Sequence, residues 1–151
     1  MRTILRSAAF GATLAGLLIG PAAHAQSADT PVGLWKTIDD ETKQAKALVR
    51  IVEQGGQLIG RIERIFAADK ATAVCEACTD DRKGKPVQGM TILVGLKKDG
   101  EEWTGGEILD PNNGKVYKAK ARLVDAGRKL DLRGYIGVPM MGRTQTWIRE
   151  Q

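Results

Sequence analysis

Histidine and serine are almost missing from this sequence of 151 residues. His24 is the only histidine, and Ser7 and Ser27 are the only serines. If residues 1–25 are removed, as argued below, the remaining chain has no imidazole and a single serine. A Ser-His-Asp triad, a histidine general base and a histidine-ligated zinc site are then excluded. We therefore expect no catalytic residue, no metal and no cofactor.

The chain also lacks a hydrophobic run long enough to cross a membrane. Its longest apolar stretch, residues 8–19, has 12 residues, whereas a transmembrane helix needs about 20. Arg2 and Arg6 precede this stretch, and Ala-His-Ala follows it at residues 23–25. A basic start, a short apolar run and a small-residue cleavage site are typical of a secretory signal peptide.

Cleavage between Ala25 and Gln26 sets the expected organisation. It leaves a flexible leader over 26–31 and a single domain over 32–151, with no integral membrane segment. We expect the protein in the periplasm or outside a bacterial cell. Loss of two arginines lowers the net charge from +5 to +3. Together with export and the lack of aromatic residues among the basic ones, this argues against nucleic-acid binding.

Short stretches of alternating apolar and polar residues recur along the mature chain, with Gly, Asp and Asn turns between them. Residues 116–124 alternate most clearly, with Ala119 and Ala121 on one face and Lys118 and Lys120 on the other. No amphipathic stretch of ten or more residues is available to connect parallel strands. The predicted strands are 32–37, 45–53, 57–66, 90–97, 102–109, 116–124, 129–136 and 144–149.

This pattern predicts an all-β fold, a small antiparallel up-and-down barrel of about eight strands. A two-sheet sandwich is the alternative, but sandwiches usually need longer Greek-key returns than these hairpin connections provide. Residues 137–142 are expected to form either a short helical turn or an irregular lid.

Two tryptophan-containing segments refine the barrel prediction. Gly33 and Trp35 begin the first strand and Arg149 ends the last, and these strands are neighbours in a closed barrel. A guanidinium over the Trp35 indole would then close one barrel end through a cation–π contact. The pairing resembles the Gly-x-Trp and C-terminal Arg signature of the calycins, the lipocalin-like and avidin-like barrels. Tryptophans filling an ordinary core are the alternative.

The longest predicted loop, residues 67–89, contains Cys75-Glu76-Ala77-Cys78. In an oxidising compartment this spacing predicts a disulfide between Cys75 and Cys78 that pins the loop. A thioredoxin-like redox pair would need a βαβ context that is missing here. A metal site would need a second Cys or His pair.

Small residues recur at predicted inward positions, among them Gly95, Gly105 and Gly134, and either bring the barrel walls together or leave a cavity. If a pocket exists, we expect its polar contacts to come from side chains that can bind a carboxylate or a hydroxyl. These candidates are Tyr117, Arg133, Tyr135, Arg143 and Gln145. As surface residues they would be ordinary strand side chains.

Several segments together resemble one bacterial secreted family, the domain of unknown function 2147 (DUF2147). The resemblance covers nearly all of residues 31–149. It implies a single secreted domain with a lipocalin-like barrel, and it implies no established activity. The segments that carry it are Gly33-Leu34-Trp35, Cys75-Glu76-Ala77-Cys78-Thr79-Asp80 and residues 105–111, 114–117, 132–137 and 142–147.

Three functions follow as hypotheses. The first is a non-catalytic envelope protein that binds a small amphipathic or hydrophobic ligand, such as a lipid, in the barrel mouth. The second is an interaction module that contacts an envelope protein through the Cys75–Cys78 loop, and the third is a thiol-disulfide redox role for that pair. An enzyme ranks below these, because Glu107 and Asp110 could act as an acid/base pair only if the fold brought them together.

Overall fold

Eight antiparallel strands close into a barrel in the computed structural model, which describes residues 28–150. The predicted signal peptide, the first leader residues and Gln151 lie outside the described residues. Two short 3₁₀ helices, Ala68–Lys70 and Pro139–Met141, occupy connections. The strands are β1 Gly33–Ile38, β2 Ala45–Gln54, β3 Gln57–Ile65, β4 Thr91–Asp99, β5 Glu102–Asp110, β6 Lys115–Val124, β7 Lys129–Tyr135 and β8 Arg143–Glu150.

Each strand pairs with its neighbours in sequence, and β1 pairs with β8 to close the sheet. Trp35 lies opposite Val49 of β2 and opposite Arg149 of β8. The predicted antiparallel eight-strand barrel is therefore confirmed, and the sandwich alternative is wrong. Of the two predictions for residues 137–142, the short helical turn is the one observed.

The barrel interior is filled by large apolar side chains. Alternate residues of each strand point inward because successive side chains lie on opposite faces. Trp35, Trp147, Leu93, Leu96 and Leu130 are all fully buried. Burial of each such side chain contributes about 1.5–3 kcal/mol to the free energy of folding. This packed centre therefore provides much of the stability of the barrel.

An irregularity in β5 changes which glycine faces inward. The register with β6 shifts between Trp103 and Gly106, as happens at a β-bulge. As a result Gly106 is buried and pairs with Ala119, whereas Gly105 is exposed. The expectation of an inward Gly105 is thus wrong, because strict alternation takes no account of a bulge.

The expected flexible leader needs a correction for its described part, residues 28–31. Pro31 is fully buried, and its carbonyl accepts a 2.7 Å hydrogen bond from Trp35 Nε1. The Thr30 carbonyl accepts another, of 2.8 Å, from Arg149 Nη2. These residues therefore pack across the barrel end as part of the folded domain. Within residues 28–150, no helix is long and apolar enough to cross a membrane.

Candidate functional site

One end of the barrel is plugged by Arg149. Its Cζ lies 4.3 Å from the centroid of the Trp35 ring. The same guanidinium donates hydrogen bonds to the carbonyls of Gly127 (2.7 Å), Val32 (3.0 Å) and Thr30 (2.8 Å). Burial lowers the pKa of Arg149, and the three carbonyls offset the cost of placing a cation there. We call this the closed end.

A second cation–π contact lies at the closed end and was missed by the sequence analysis. Lys98 Nζ stands 4.2 Å from the centroid of the Trp103 ring. Lys98 and Trp103 are directly opposite each other across β4 and β5. Asp99 and Gly100 lie between the predicted strands 90–97 and 102–109, and applying hairpin pairing to the residues that flank them would have found the contact.

The opposite end, here called the barrel mouth, is bounded by the four remaining connections. Because consecutive strands run in opposite directions, these connections all lie at one end of the barrel. They are residues 39–44, 66–90, 111–114 and 136–142.

The strand register places three of the five predicted ligand residues on the inner face near the mouth. Directly opposed residues of an antiparallel pair share a face. Tyr117 lies opposite the inward Ile108, Arg143 opposite Gly134 and Gln145 opposite Leu132.

Arg133 and Tyr135 lie on the other face of the sheet. They are opposite Lys120 and Lys118, respectively, on the outer surface of β6 and β7. The Arg133 guanidinium donates to the Pro139 carbonyl at 2.6 Å and so holds the β7–β8 connection from outside. The structure does not bring these two side chains together with the inward three.

A polar cluster stands at the rim of the mouth. The Asp40 carboxylate pairs with Arg143 Nη2 at 2.8 Å and accepts a 3.1 Å hydrogen bond from Gln145 Nε2. Gln145 Oε1 in turn accepts a 3.5 Å hydrogen bond from the buried Trp147 indole. Asp40 was not predicted, because two adjacent aspartates in a loop resemble ordinary turn residues.

Apolar side chains are exposed on the connection beside this cluster. Residues 136–142 contain no charged side chain. The exposed fractions are 61% for Ile136, 56% for Val138, 88% for Met140 and 78% for Met141. Contiguous exposed apolar residues of this kind mark interaction sites more often than isolated ones do.

The recess at the mouth is shallow. Tyr117 and Gln145 are half-buried, whereas Ala119, Leu132 and Trp147 one step deeper are buried. The side chains accessible from this end are therefore those of the rim and of the first inward layer. Gly106, which takes the inward position expected of Gly105, does not open a shaft here, because a Cβ on it would be 2.7 Å from Leu96 Cγ.

The long loop carries the predicted disulfide, which joins Cys75 to Cys78. Both cysteines are 0% exposed, and Cys75 Sγ lies 3.6 Å from the Pro111 carbonyl. A Cβ added at Gly114 would be only 1.9 Å from the Ala77 carbonyl oxygen. The loop is therefore docked on the β5–β6 connection. Disulfide exchange requires a thiolate to reach a sulfur atom, so this burial favours a structural role over a redox one.

The fold does not bring Glu107 and Asp110 together as an acid/base pair, and the described residues contain no candidate metal centre. Glu107 and Asp110 are three residues apart in β5 and so point to opposite faces. Asp110 accepts hydrogen bonds from Asn112 N and Asn113 Nδ2 within its own turn. Among residues 28–150, no group of three or more His, Cys, Asp or Glu side chains could hold a metal ion.

A groove of about 600 Å³ lies on the outer face of β2 and β3. Arg50 and Glu63 form a two-bond ion pair at its wall, at 2.8 and 3.2 Å. Arg61 donates to the Gly89 carbonyl at 2.5 Å. Its charged groups are thus partnered within the protein.

Comparisons with known proteins agree with this architecture. The family model for an uncharacterised protein conserved in bacteria, DUF2147, matches residues 33–149. Protein HP1028 from Helicobacter pylori, a solved structure described as belonging to the lipocalin family, superposes with a TM-score of 0.70. The match is 19% identical and covers 80% of this chain and 82% of that one. No curated protein matches the sequence. At this identity the structural likeness establishes the lipocalin-like fold and nothing further.

Proposed function

The chain belongs to the DUF2147 family of uncharacterised bacterial proteins, and we propose that its barrel mouth binds a small amphipathic ligand with an anionic head group. The carrying observation is the position of Arg143, which faces inward at the rim beside the exposed apolar connection 136–142. A guanidinium binds a carboxylate or phosphate through two parallel hydrogen bonds. The neighbouring apolar side chains provide the surface for a hydrocarbon tail.

The Asp40 carboxylate lowers the affinity of this site for an anion. It shares Arg143 and Gln145 in the free protein, so an incoming anion competes with it for both donors. The Arg143 side chain is still 70% exposed, which leaves part of the guanidinium accessible to a ligand. Because the barrel centre is filled, the hydrocarbon tail lies along the rim and the ligand is short.

Calorimetry with monomeric dodecanoate tests the proposal, with dodecyl maltoside as the uncharged probe of the same tail length. We expect Arg143→Gln to weaken dodecanoate binding about tenfold, the worth of one lost charge-assisted contact, and to leave dodecyl maltoside unchanged. Asp40→Asn should strengthen dodecanoate binding, because it removes the competing carboxylate.

Arg128→Gln is the matched control, since Arg128 is an exposed arginine near the closed end that also pairs with an aspartate. The proposal is wrong if Arg143→Gln and Arg128→Gln bind dodecanoate equally, or if Asp40→Asn weakens binding.

We also propose that the protein works in the bacterial periplasm or outside the cell. The support is the signal-peptide pattern of residues 1–25 and the disulfide, a bond typical of oxidising compartments. N-terminal sequencing of protein from a periplasmic extract should start at Gln26. Recovery of a chain that retains Met1 in the cytoplasmic fraction would contradict this.

A further inference from the structure

We propose that residues 138–141, the tip of the β7–β8 connection, insert into the head-group region of a bilayer that contains anionic phospholipid. This inference goes beyond ligand binding, because it concerns attachment of the whole protein to a membrane surface. Met140 and Met141 are the most exposed large apolar side chains of the mouth, Val138 is also exposed, and Pro139 lies between Val138 and Met140.

Four of the seven backbone hydrogen-bonding groups of residues 138–141 already have partners within the protein, which lowers the cost of moving the tip out of bulk water. The Val138 carbonyl accepts from Met141 N at 3.0 Å, and the Pro139 carbonyl accepts from Gly142 N at 3.2 Å. Arg133 adds hydrogen bonds to the carbonyls of Pro139 (2.6 Å) and Met140 (3.4 Å). Pro139 itself has no amide hydrogen. The remaining backbone groups can bond water and the polar head groups present at this depth, so the tip is suited to the head-group region and not to the hydrocarbon core.

Basic residues stand where lipid phosphates would lie. Arg133 and Arg143 flank the uncharged segment 136–142, and Lys115 and Lys118 are exposed at the same end of β6. Apolar residues at the apex with cations just behind them are typical of segments that lie in a membrane interface. Asp40, an acidic side chain at the rim of the mouth, is already paired with Arg143.

The size of the tip favours a bilayer over a protein partner. A stable protein interface buries about 800 Å² on each side and about 20 or more residues, whereas this apolar surface is four residues of one short connection. Interfacial insertion needs only a few apolar side chains together with electrostatic attraction. A second copy of the chain is accordingly the competing occupant that the experiment has to exclude.

Flotation of the purified mature protein with vesicles tests the inference, using phosphatidylcholine alone and phosphatidylcholine mixed with phosphatidylglycerol. We expect the protein to float with the anionic vesicles, less so at high salt. Val138→Asp should abolish flotation, while Val52→Asp should not. Val52 is a matched control because it is an exposed valine (45%) on β2 at the other end of the barrel, and the change in net charge is identical.

Two further variants make the result independent of added charge. Met140→Ser combined with Met141→Ser should reduce vesicle partitioning by about tenfold or more, since two apolar side chains that are partly buried at head-group depth are lost. Val138→Trp should be quenched by brominated lipid, whereas Trp35, Trp103 and Trp147, buried in the barrel, should not respond.

Three outcomes would overturn the inference. They are absence of flotation by the unaltered protein, equal flotation of Val138→Asp and Val52→Asp, and a dimer in light scattering that Val138→Asp dissociates. A failure of the ligand proposal can be distinguished from a failure of this one. The dodecanoate calorimetry uses no vesicles, and its expected change depends on Arg143.

Discussion

Replacing Arg149 by alanine should destabilise the barrel more than any other single loss of surface charge. Arg149 connects the last strand to the leader, through Thr30 and Val32, and to the β6–β7 turn, through Gly127. Its guanidinium also covers the Trp35 ring. Removing it uncouples three segments that close the same barrel end.

The magnitude follows from these contacts. A hydrogen bond from a charged donor contributes about 1.5–3 kcal/mol when its acceptor stays dry. At this half-buried position water can replace part of each bond, so we take about 1 kcal/mol for each of the three. The cation–π contact adds about 0.5–1 kcal/mol. We therefore expect Arg149→Ala to lower the free energy of unfolding by about 3–4 kcal/mol. Arg149→Lys should recover part of this, since an ammonium cannot reach all three carbonyls.

Urea unfolding followed by tryptophan emission measures the effect, because the three tryptophans are buried and report on the barrel interior. For a domain of this size the expected loss lowers the urea midpoint by about 2 M. Arg128→Ala is the control, an exposed arginine at the same end whose surface ion pair should contribute less than about 1 kcal/mol. Equal midpoints for Arg149→Ala and Arg128→Ala would refute the reasoning.

Two further predictions concern the long loop. Gly114→Ala should cost about 3 kcal/mol, from left-handed backbone strain and from the clash with the docked loop. Gly100 has a similar positive φ but open space around it, so Gly100→Ala should lower the free energy of unfolding by only about 1 kcal/mol. Urea unfolding measures both variants. Equal losses of stability in the two would show that the loop is not docked as described. The Arg82 side chain, followed by its backbone N–H, lowers the pKa of Asp80 from 3.8 to about 2. The stabilisation is therefore present above about pH 4 and lost as pH falls towards 2. A carboxyl NMR titration should find that midpoint near 2, returning towards 3.8 in Arg82→Gln, and a midpoint near 3.8 in the unaltered protein would contradict the pairing.

The fold was predictable because its determinants are local. Alternation of apolar and polar residues, with turn-forming residues between the runs, marks most of the strands, and the observed bounds differ from the predicted ones by at most two residues. Gly105 shows where this fails. A bulge depends on the register of two strands, and the pattern of one strand does not contain that information.

The candidate site was less predictable, because it depends on which face each residue occupies. Gln145 and Arg143 belong to the inner face, and Arg133 and Tyr135, equally polar in sequence, belong to the outer one. Asp40 enters the site from a loop, where no periodicity applies. Aromatic and charged side chains in a strand thus indicate that a contact forms. The contact partner is known only once the pairing of neighbouring strands is known.

The filled interior also explains why the proposed ligand site lies at the barrel mouth. A barrel of eight strands is just wide enough either to be packed by its own side chains or to hold one small ligand. Here Trp35 and Trp147 occupy the centre, and Arg149 seals the end behind them. Binding by this barrel consequently has to use residues that its packing leaves exposed. The connection 136–142 beside Arg143 combines the most exposed large apolar side chains of the described residues with an accessible cation, which is why the two proposals share one end of the molecule.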